Sequence, residues 1–428
     1  MLCHLRKKCN NMNIDKITLL VLSFLLFVNL QGKSKIQLTP EIGLMTQTIQ
    51  KAINSCAEKG GGVVLFPAGK YISGGLKLKS KVTLQFEKGA ILQGSAKYAD
   101  YKNDAFIFGK DLSDIAIQGE GTIDGVDCYN PKGEEGFRGP HCIRLIECKN
   151  ITFRDFTIKN SANWAINCRH CSYGTVEGIS IRGGHDGLHT RFCNNFKVSE
   201  CDFRTGDDSF AGNDNRDFEV KDCKINTSCS AFRFGCLNLL VKGCKIWGPG
   251  EYAHKIENRV NMPIAFVHFS PSDEHPKLES GNWLIQDLTI DNADLVYIYN
   301  FNDGLWQTGQ PATSVRFERV KATGLLRSFY VIGDKSRKFD LKIVDSFFSY
   351  REGSVIKDDL FEGIKMKSES FFYATDFGQI DFQNVTLQNS PKTIPIDCKS
   401  GNKMNISGLR TNSPFSTESF KDIIQIIK

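Results

Sequence analysis

The stretch VSECDFRTGDDSFAGNDNRDFEVKDCKINTSCSAFRFGCLNLLVKGCKI, residues 198–246, repeats one short apolar pattern three times. Each copy has apolar residues at its first, fourth and sixth positions, and the copies begin at the nearly evenly spaced Val198, Val220 and Val241. The segments are β-branched or aromatic and are bounded by Asn, Gly, Asp or Ser, which is typical of short strands and turns. Such a period predicts a solenoid of stacked coils.

The pattern continues on both sides of this stretch. Upstream copies begin at Phe153 and Val176, and downstream copies begin at Ile285, Phe317 and Phe382. Leucine-rich repeats share the repeat length, but they need a run of leucines and an Asn/Cys position that these units lack. We therefore predict an all-β fold, a single-stranded right-handed parallel β-helix with coils of about 22 residues, in which like residues stack about 4.8 Å apart.

The segment before the first coils has a different periodicity. Residues 35–59 carry apolar side chains at helical spacing. These are Met45, Ile49, Ala52, Ile53 and Cys56. Because the unpaired strand edge at the end of a solenoid needs a cover, we predict an N-terminal capping helix.

Two segments depart from the repeat and are predicted to leave the coils as loops. Residues 126–140 are rich in glycine and charge, and residues 247–281 interrupt the period for longer than most connections do. After Ser370 the repeat becomes irregular, as terminal coils often are. We expect residues 33–428 to form one β-helix domain.

The N-terminus resembles an export signal. Lys7, Lys8 and Lys16 precede an apolar run from Ile17 to Leu30, with small residues just after it. This order is typical of a secretory signal peptide, and the run is short for a membrane span. We expect residues 1–32 to be a signal peptide and the mature chain to be secreted or periplasmic, with no membrane span.

Composition restricts the partners. The chain has 54 basic and 48 acidic residues, which is too even a balance to indicate an acidic partner. Basic patches interleaved with aromatic residues are not evident, so we expect no nucleic-acid partner. We expect a monomer.

Cysteine spacing follows the repeat. Cys201, Cys223 and Cys244 recur with the same period as the apolar pattern, which predicts a buried row of unpaired thiols. Side chains stacked in register seldom adopt the torsion that a disulfide demands. Since no CxxC pair has a matching second pair, we expect no zinc, and no cofactor.

Three aspartates are the strongest candidates for chemistry. Asp186 precedes the adjacent pair Asp207 and Asp208 by about one period, so a solenoid would bring the three together on neighbouring coils. We expect Asp186 to lie one coil from Asp207, on adjacent strands of the same face. Clustered carboxylates raise one another's pKa, so one can hold a proton while another accepts one from water. That pairing is what inverting hydrolysis of a glycosidic bond requires. The alternative is a solvated turn, with Ca²⁺ between the carboxylates.

Several motifs together resemble the polygalacturonase family of glycoside hydrolases, family 28. They span roughly residues 45–250 and are GGGVVLFPAGKY (60–71), GAILQGS (89–95), GEGTIDG (119–125), RGPHCIRLIECKNITFRDFTIKNSANWAINC (138–168), HDGLHT (185–190) and TGDD (205–208). The resemblance implies a single-domain right-handed parallel β-helix that hydrolyses pectin with inversion. It also implies that Asp207 is the general acid and that Asp186 and Asp208 activate water.

The sequence departs from that family around the aspartates. The family's Asn-Thr-Asp is Gly184-His185-Asp186 here, and its Gly-His-Gly falls at Cys229-Ser230-Ala231, so its active-site histidine is a serine. Its Arg-Ile-Lys, which grips the substrate carboxylate, has Lys255-Ile256 as the nearest candidate. The substrate-binding candidates are His185, His189, Arg233 and Lys255.

Three functions are consistent with these residues. The first is an exported inverting glycosidase that acts on a polysaccharide or oligosaccharide. Because the galacturonate-binding set is missing, we expect this substrate to be neutral or only partly uronic. The second is a polysaccharide lyase or epimerase on the same fold. The third is a non-catalytic carbohydrate-binding β-helix.

Overall fold

The computed structural model describes residues 34–269, 279–301, 312–336, 338–354 and 368–426. Its strands pair in parallel with strands of the neighbouring coils, and all belong to one continuous sheet. The predicted right-handed parallel β-helix with an N-terminal capping helix is confirmed.

The strands fall into three successive groups. In the first coils they are Ser34–Gln37, Gly62–Phe66, Gly69–Ser73, Leu76–Lys77, Val82–Phe86, Ala90–Gly94, Ala105–Lys110, Ser113–Gln118 and Thr122–Asp124. In the central coils they are His141–Ile146, Lys149–Arg154, Thr157–Lys159, Ile166–Arg169, Ser172–Glu177, Ser180–Gly183, Leu188–Arg191, Asn194–Ser199, Asp202–Thr205, Phe210–Lys221, Lys224–Thr227, Ser230–Lys242 and Lys245–Trp247. In the last coils they are Met262–His268, Gly281–Asp291, Ala293–Asn300, Ser314–Leu325, Arg327–Ile332, Asp340–Tyr350, Phe372–Thr375, Gln379–Gln388, Ile396–Lys399, Lys403–Thr411 and Ile424–Ile426.

The apolar repeat forms the core. The first residue of each copy pairs in register with the first residue of the next, in the order Phe153, Val176, Val198, Val220, Val241, Ile285, Phe317, Ile343, Phe382. All nine are buried, so the repeat marks one internal ladder. Stacking apolar side chains in this way removes them from water at every coil.

The capping helix spans Thr46–Glu58 and buries Ile49, Ala52, Ile53 and Cys56. The predicted start of helical spacing at residue 35 is too early, because Ser34–Gln37 is a strand that pairs with Gly62–Phe66. In the described part of the chain there are also three 3₁₀ turns, at Tyr98–Asp100, Glu134–Gly136 and Glu418–Phe420.

The prediction of a single long loop over residues 247–281 is wrong. Met262–His268 is a buried strand that pairs with Ser230–Lys242 and with Ala293–Asn300. This strand continues the stack without carrying the repeat motif, so the period could not reveal it. The loop that leaves the coil is the shorter segment 248–261, which we call the site loop, while residues 270–278 lie outside the described residues.

The thirteen cysteines between Cys56 and Cys398 are all buried and free. Cys201, Cys223 and Cys244 follow the strand register, and their thiols donate to carbonyl oxygens such as Ser199 O and Lys221 O. The predicted thiol ladder is therefore present.

No helix in the described part of the chain is long and apolar enough to cross a bilayer. The expected signal peptide, residues 1–32, lies outside the described residues.

Candidate active site

The three aspartates occupy one corner of successive coils. Asp186 lies in the turn before strand Leu188–Arg191, and Asp207 and Asp208 lie in the turn before Phe210–Lys221. The Gly187 amide donates to the Asp208 carbonyl oxygen at 2.9 Å, which ties the two turns together. The strands that follow pair Leu188 with Phe210, so Asp208 is the residue that stacks on Asp186. Asp186 was expected to pair with Asp207 on adjacent strands, and this prediction is wrong by one position: Asp186 stacks on Asp208 instead. All three aspartates lie in turns rather than on strands.

The carboxylates are close enough to interact strongly. One oxygen of each lies within 4.8 Å of one oxygen of the others. Burial, together with the charges of Asp207 and Asp208, raises the pKa of Asp186 well above its ordinary value. Burial also raises the pKa of Asp208, against the opposing charge of Arg233. For Asp207, burial is outweighed by His254, Arg233 and Arg138, so its pKa is lowered. In this state of the site, the proton is favoured on Asp186 rather than on Asp207.

Two guanidinium groups neutralise part of this charge. Arg233 Nε donates to Asp208 Oδ2 at 2.5 Å, and the guanidinium lies over the Phe269 ring, 4.5 Å from its centroid. Arg138 Nη2 is 3.8 Å from Asp207 Oδ2, and its side chain also bonds Glu135 and Asn163. Both arginines are therefore already engaged by acidic groups of the protein.

His189 is buried behind Asp186. Its Nδ1 lies 2.8 Å from Asp186 Oδ2, and its ring stacks on Trp164 with centroids 3.6 Å apart and planes 5° from parallel. Burial and the charge of Arg233 lower the pKa of His189 well below its ordinary value, so the imidazole is neutral. A substrate contact was expected for His189, but the structure places this ring between two protein groups, where it orients Asp186.

The other two predicted substrate-binding residues lie to one side. His185 is buried with its ring 6.0 Å from that of Phe137, and burial and Arg138 lower its pKa to about 3. Lys255 lies over Gly184: a Cβ added at Gly184 would be 2.4 Å from Lys255 Cε. Its Nζ is 3.6 Å from Asp127 Oδ2. The position where the family has an asparagine is thus covered by a lysine side chain.

The site loop brings a histidine that the sequence analysis did not select. His254 is buried, and its Nε2 lies 3.6 Å from Asp207 Oδ1. Arg138 and Trp164 were also missed, although both belong to the long quoted motif at 138–168. His254 had no such signal, because the site loop carries no repeat.

The aspartates line a cavity of about 200 Å³. Its other lining residues are Glu134, Glu135, Arg138, Trp164, Cys229, Arg233, His254 and Ile256. A second cavity of about 300 Å³ adjoins it through His254 and is lined by Asp127, Asn160, Tyr252 and Lys255, among others. Ile256 is half exposed, so the lining of the cavity combines charged groups with an accessible apolar side chain.

Among the residues that the structure describes, two groups of side chains have the spacing of metal ligands: the aspartate trio, and Asp207 with Cys229 and His254. In the second group the Glu257 amide donates to His254 Nδ1 at 3.1 Å, so Nε2 carries the hydrogen and cannot ligate a cation without reorganisation. Burial also raises the pKa of the Cys229 thiol well above its ordinary value, which opposes the thiolate form that metals prefer. In the trio, Arg233 and Arg138 already supply positive charge.

Comparison with known proteins agrees with the motifs. Residues 56–233 match the family described as Glycosyl hydrolases family 28. A probable polygalacturonase of Vitis vinifera is 27% identical over 188 residues, 37% of this chain and 38% of that protein. The chain thus matches well under half the length of this curated relative.

Solved structures share the fold. The family 28 exopolygalacturonase of Yersinia enterocolitica superposes with a TM-score of 0.62 at 16% identity, over 90% of this chain and 79% of that one. PfbA, a surface adhesin of Streptococcus pneumoniae, has a TM-score of 0.57 at 12% identity, over 90% and 94% of the two chains. At these identities the likeness concerns architecture alone, and one architecture serves different functions.

Proposed function

Because the chain is a divergent, polygalacturonase-like member of glycoside hydrolase family 28, we propose that it hydrolyses a glycosidic bond in a polysaccharide or oligosaccharide. The observation that carries this proposal is the cluster of three carboxylates, of which Asp186 and Asp208 are buried and Asp207 is partly exposed. Each has an oxygen within 4.8 Å of the others, in a cavity that also holds Arg138, Arg233 and His254. Burying like charges is costly, and acid–base chemistry is a reason to maintain them.

In the proposed mechanism one carboxyl group donates a proton to the leaving oxygen and another accepts a proton from the attacking water. The family resemblance assigns the first role to Asp207 and the second to Asp186 and Asp208. The charges around Asp207 favour its ionised form, so this assignment requires Asp207 to take up a proton when substrate excludes water. The inverting course rests on the resemblance and not on the carboxyl separation. Inverting carboxyl pairs are usually about 6.5–9.5 Å apart, whereas the nearest oxygens of these three carboxylates lie within 4.8 Å of one another.

A variant test separates the roles. An aryl glycoside with a good leaving group does not need protonation, so a variant that lacks only the acid should still cleave it. We expect Asp207→Asn to lose activity on natural substrates but to keep most of its activity on such a glycoside. Asp186→Asn and Asp208→Asn should lose activity on both types of substrate. If Asp186→Asn is the variant that keeps activity, the acid is Asp186.

We also propose that the substrate is neutral or only partly uronic. A uronic carboxylate buried in a subsite needs a cationic partner, since an unpaired buried charge costs several kcal/mol. Arg233 and Arg138 are engaged by Asp208, Glu135 and Asp207. Lys255 contacts Asp127 and lies over Gly184. Homogalacturonan, with a carboxylate on every sugar, should therefore bind poorly.

The deciding experiment is a screen of defined oligosaccharides with the purified protein, comparing wild type with Asp207→Asn. New reducing ends support a hydrolase, and NMR of the fresh product gives its anomeric configuration. An unsaturated product that absorbs in the ultraviolet indicates a lyase instead, and binding without turnover indicates a carbohydrate-binding protein. Rapid release from polygalacturonate, lost on Arg233→Ala, would overturn the proposed substrate class.

Export is also part of the proposal. It is supported by the basic residues and the apolar run from Ile17 to Leu30. Cell fractionation of the expressed full-length chain, followed by N-terminal sequencing of the mature product, tests it. Retention of residues 1–32 in a cytosolic product would contradict it.

A further inference from the structure

The site loop is closed on itself. The Gly250 amide donates to the Val260 carbonyl oxygen at 2.7 Å, and the His254 amide donates to that of Arg259 at 2.9 Å. These two bonds make residues 250–260 a compact unit. His254 therefore belongs to a defined structure and not to a freely moving connection.

The neighbouring coil holds this loop on the aspartate corner. Asn226 donates to the carbonyl oxygens of Trp247 and Pro249 and accepts from the Glu251 amide, at 2.7–3.0 Å. Ser228 Oγ donates to the Tyr252 carbonyl oxygen at 2.5 Å, and Arg259 donates to the Ser228 carbonyl oxygen. The Ala253 carbonyl oxygen lies so close to Gly206 that a Cβ there would be 2.3 Å away. The loop is thus packed directly on the turn that carries Asp207.

The hydrogen bonds of the loop select one tautomer of His254. Because the Glu257 amide donates to Nδ1 at 3.1 Å, Nδ1 is unprotonated and the ring hydrogen is on Nε2. Nε2 is the atom 3.6 Å from Asp207 Oδ1. This separation is longer than a hydrogen bond, and catalytic hydrogen bonds often shorten only when substrate is bound.

We propose that His254 is a positioning residue that directs a fixed N–H at Asp207 and so sets the orientation and proton affinity of this carboxyl group during the reaction. The inference rests on the proposed glycosidase function. At the position where the family has its active-site histidine, this chain has Ser230, whose hydroxyl has no hydrogen-bond partner among the described residues. His254 reaches the same cluster from a different segment.

Several other groups act on the proton equilibrium of Asp207. They are Arg138, His185, Asp186, His189, Asp208, Cys229 and Arg233. None of them is changed when only His254 is replaced, so a matched pair of variants isolates its effect. His254→Ala removes the N–H, and His254→Gln retains a side-chain N–H donor of similar reach.

The test compares the two variants with wild type on the best substrate from the screen. In His254→Ala we expect kcat to fall by about 100-fold with little change in KM, as a misplaced catalytic group typically causes. The limb of the pH–rate profile that reports Asp207 should move to higher pH, because a lost donor destabilises the carboxylate. His254→Gln should recover much of the kcat and much of the wild-type pH dependence. His170→Ala serves as control, since His170 is an exposed corner residue.

A second measurement does not depend on turnover. With ¹³C-labelled aspartate, the titration of Asp207, assigned through Asp207→Asn, should shift to higher pH in His254→Ala, and ¹⁵N shifts should show the Nε2–H tautomer in wild type. If wild type hydrolyses nothing but this shift occurs, the proposed function fails while His254 retains its effect on Asp207. An unshifted Asp207 titration, or a His254→Ala variant as active as wild type, overturns the inference.

Discussion

Arg233 Nε lies 2.5 Å from Asp208 Oδ2. This contact joins two adjacent coils in the lining of the cavity. Only 1% of the Asp208 side chain is exposed. The other Asp208 oxygen accepts from the Ser230 amide at 3.1 Å. Asp208 is therefore held at both oxygens, and the guanidinium is the group that compensates its charge at closest range.

Removing that guanidinium should destabilise the protein. We expect Arg233→Ala to lower the free energy of unfolding at pH 7 by about 3–5 kcal/mol, because it leaves a buried carboxylate without its partner. Urea denaturation measures this change. The double variant Arg233→Ala/Asp208→Asn should recover part of the loss.

The matched control for this prediction is Arg319→Ala. Arg319 pairs with Asp287 near the surface, where their side chains are 46% and 33% exposed, and such pairs contribute little to stability. Equal destabilisation by the two alanine variants would contradict the importance assigned to the buried pair.

Asp186 should make stability depend on pH. Its pKa is raised in the folded protein above the ordinary value of 3.8. The protein therefore has its full stability below about pH 3.8, where Asp186 is protonated in both states, and becomes less stable as the pH rises, because the unfolded chain releases this proton more readily. We expect Asp186→Asn to be more stable than wild type at pH 7 by about 1 kcal/mol or more, since each pKa unit corresponds to about 1.4 kcal/mol. The difference should vanish below about pH 4. Thermal unfolding of both proteins across this range would reveal a constant difference if the prediction is wrong.

His189 should act through its hydrogen bond rather than through its bulk. His189→Phe retains an aromatic ring to stack on Trp164 but removes the partner of Asp186 Oδ2. We expect it to lose tenfold or more in kcat, because Asp186 is no longer oriented. His189→Asn, which can still hydrogen-bond Asp186, should lose less. The two variants would rank in the opposite order if packing on Trp164 were the dominant role.

Two glycines under the site loop should respond differently to a methyl group. At Gly206 the added Cβ meets backbone atoms of Ala253 and Gly184, whereas at Gly184 it meets the flexible side chain of Lys255. We expect Gly206→Ala to displace the loop, to lower the free energy of unfolding by about 1–3 kcal/mol and to reduce activity. Gly184→Ala should have a smaller effect on both, because a side chain can move aside. Urea denaturation and rate measurements on both variants check this; equal effects would contradict tight seating of the loop.

The cysteines should titrate as thiols. All thirteen between Cys56 and Cys398 are free in the structure, so a thiol reagent applied without reductant to an unfolded chain that begins at residue 33 should count thirteen. In the folded protein reaction should be slow, because these thiols are buried and the reagent cannot reach them. Mass spectrometry of a non-reduced digest that links Cys201 to Cys223, or Cys223 to Cys244, would refute the ladder.

Spacing along the chain was enough to predict the β-helix and the meeting of the three aspartates. In a solenoid each residue contacts the residue about one period away, so the apolar ladder from Phe153 to Phe382 and the pairing of the Asp186 turn with the Asp207–Asp208 turn can be read from spacing. The family 28 motifs then indicated that the aspartates hydrolyse a glycosidic bond. The spacing left the register open by one position, because successive intervals in the repeat are not equal.

The surroundings of the aspartates, in contrast, depend on how the aperiodic segments fold back. His254 reaches Asp207 from the site loop, far along the chain and outside the repeat. Arg138 arrives from a second aperiodic segment, and the strand Met262–His268 lies where the period had lapsed. A repeat encodes contacts between neighbouring coils, because the same backbone hydrogen bonds recur at each turn. Where a loop folds back on the coils, its contacts depend on local hydrogen bonds and packing that leave no period in the sequence.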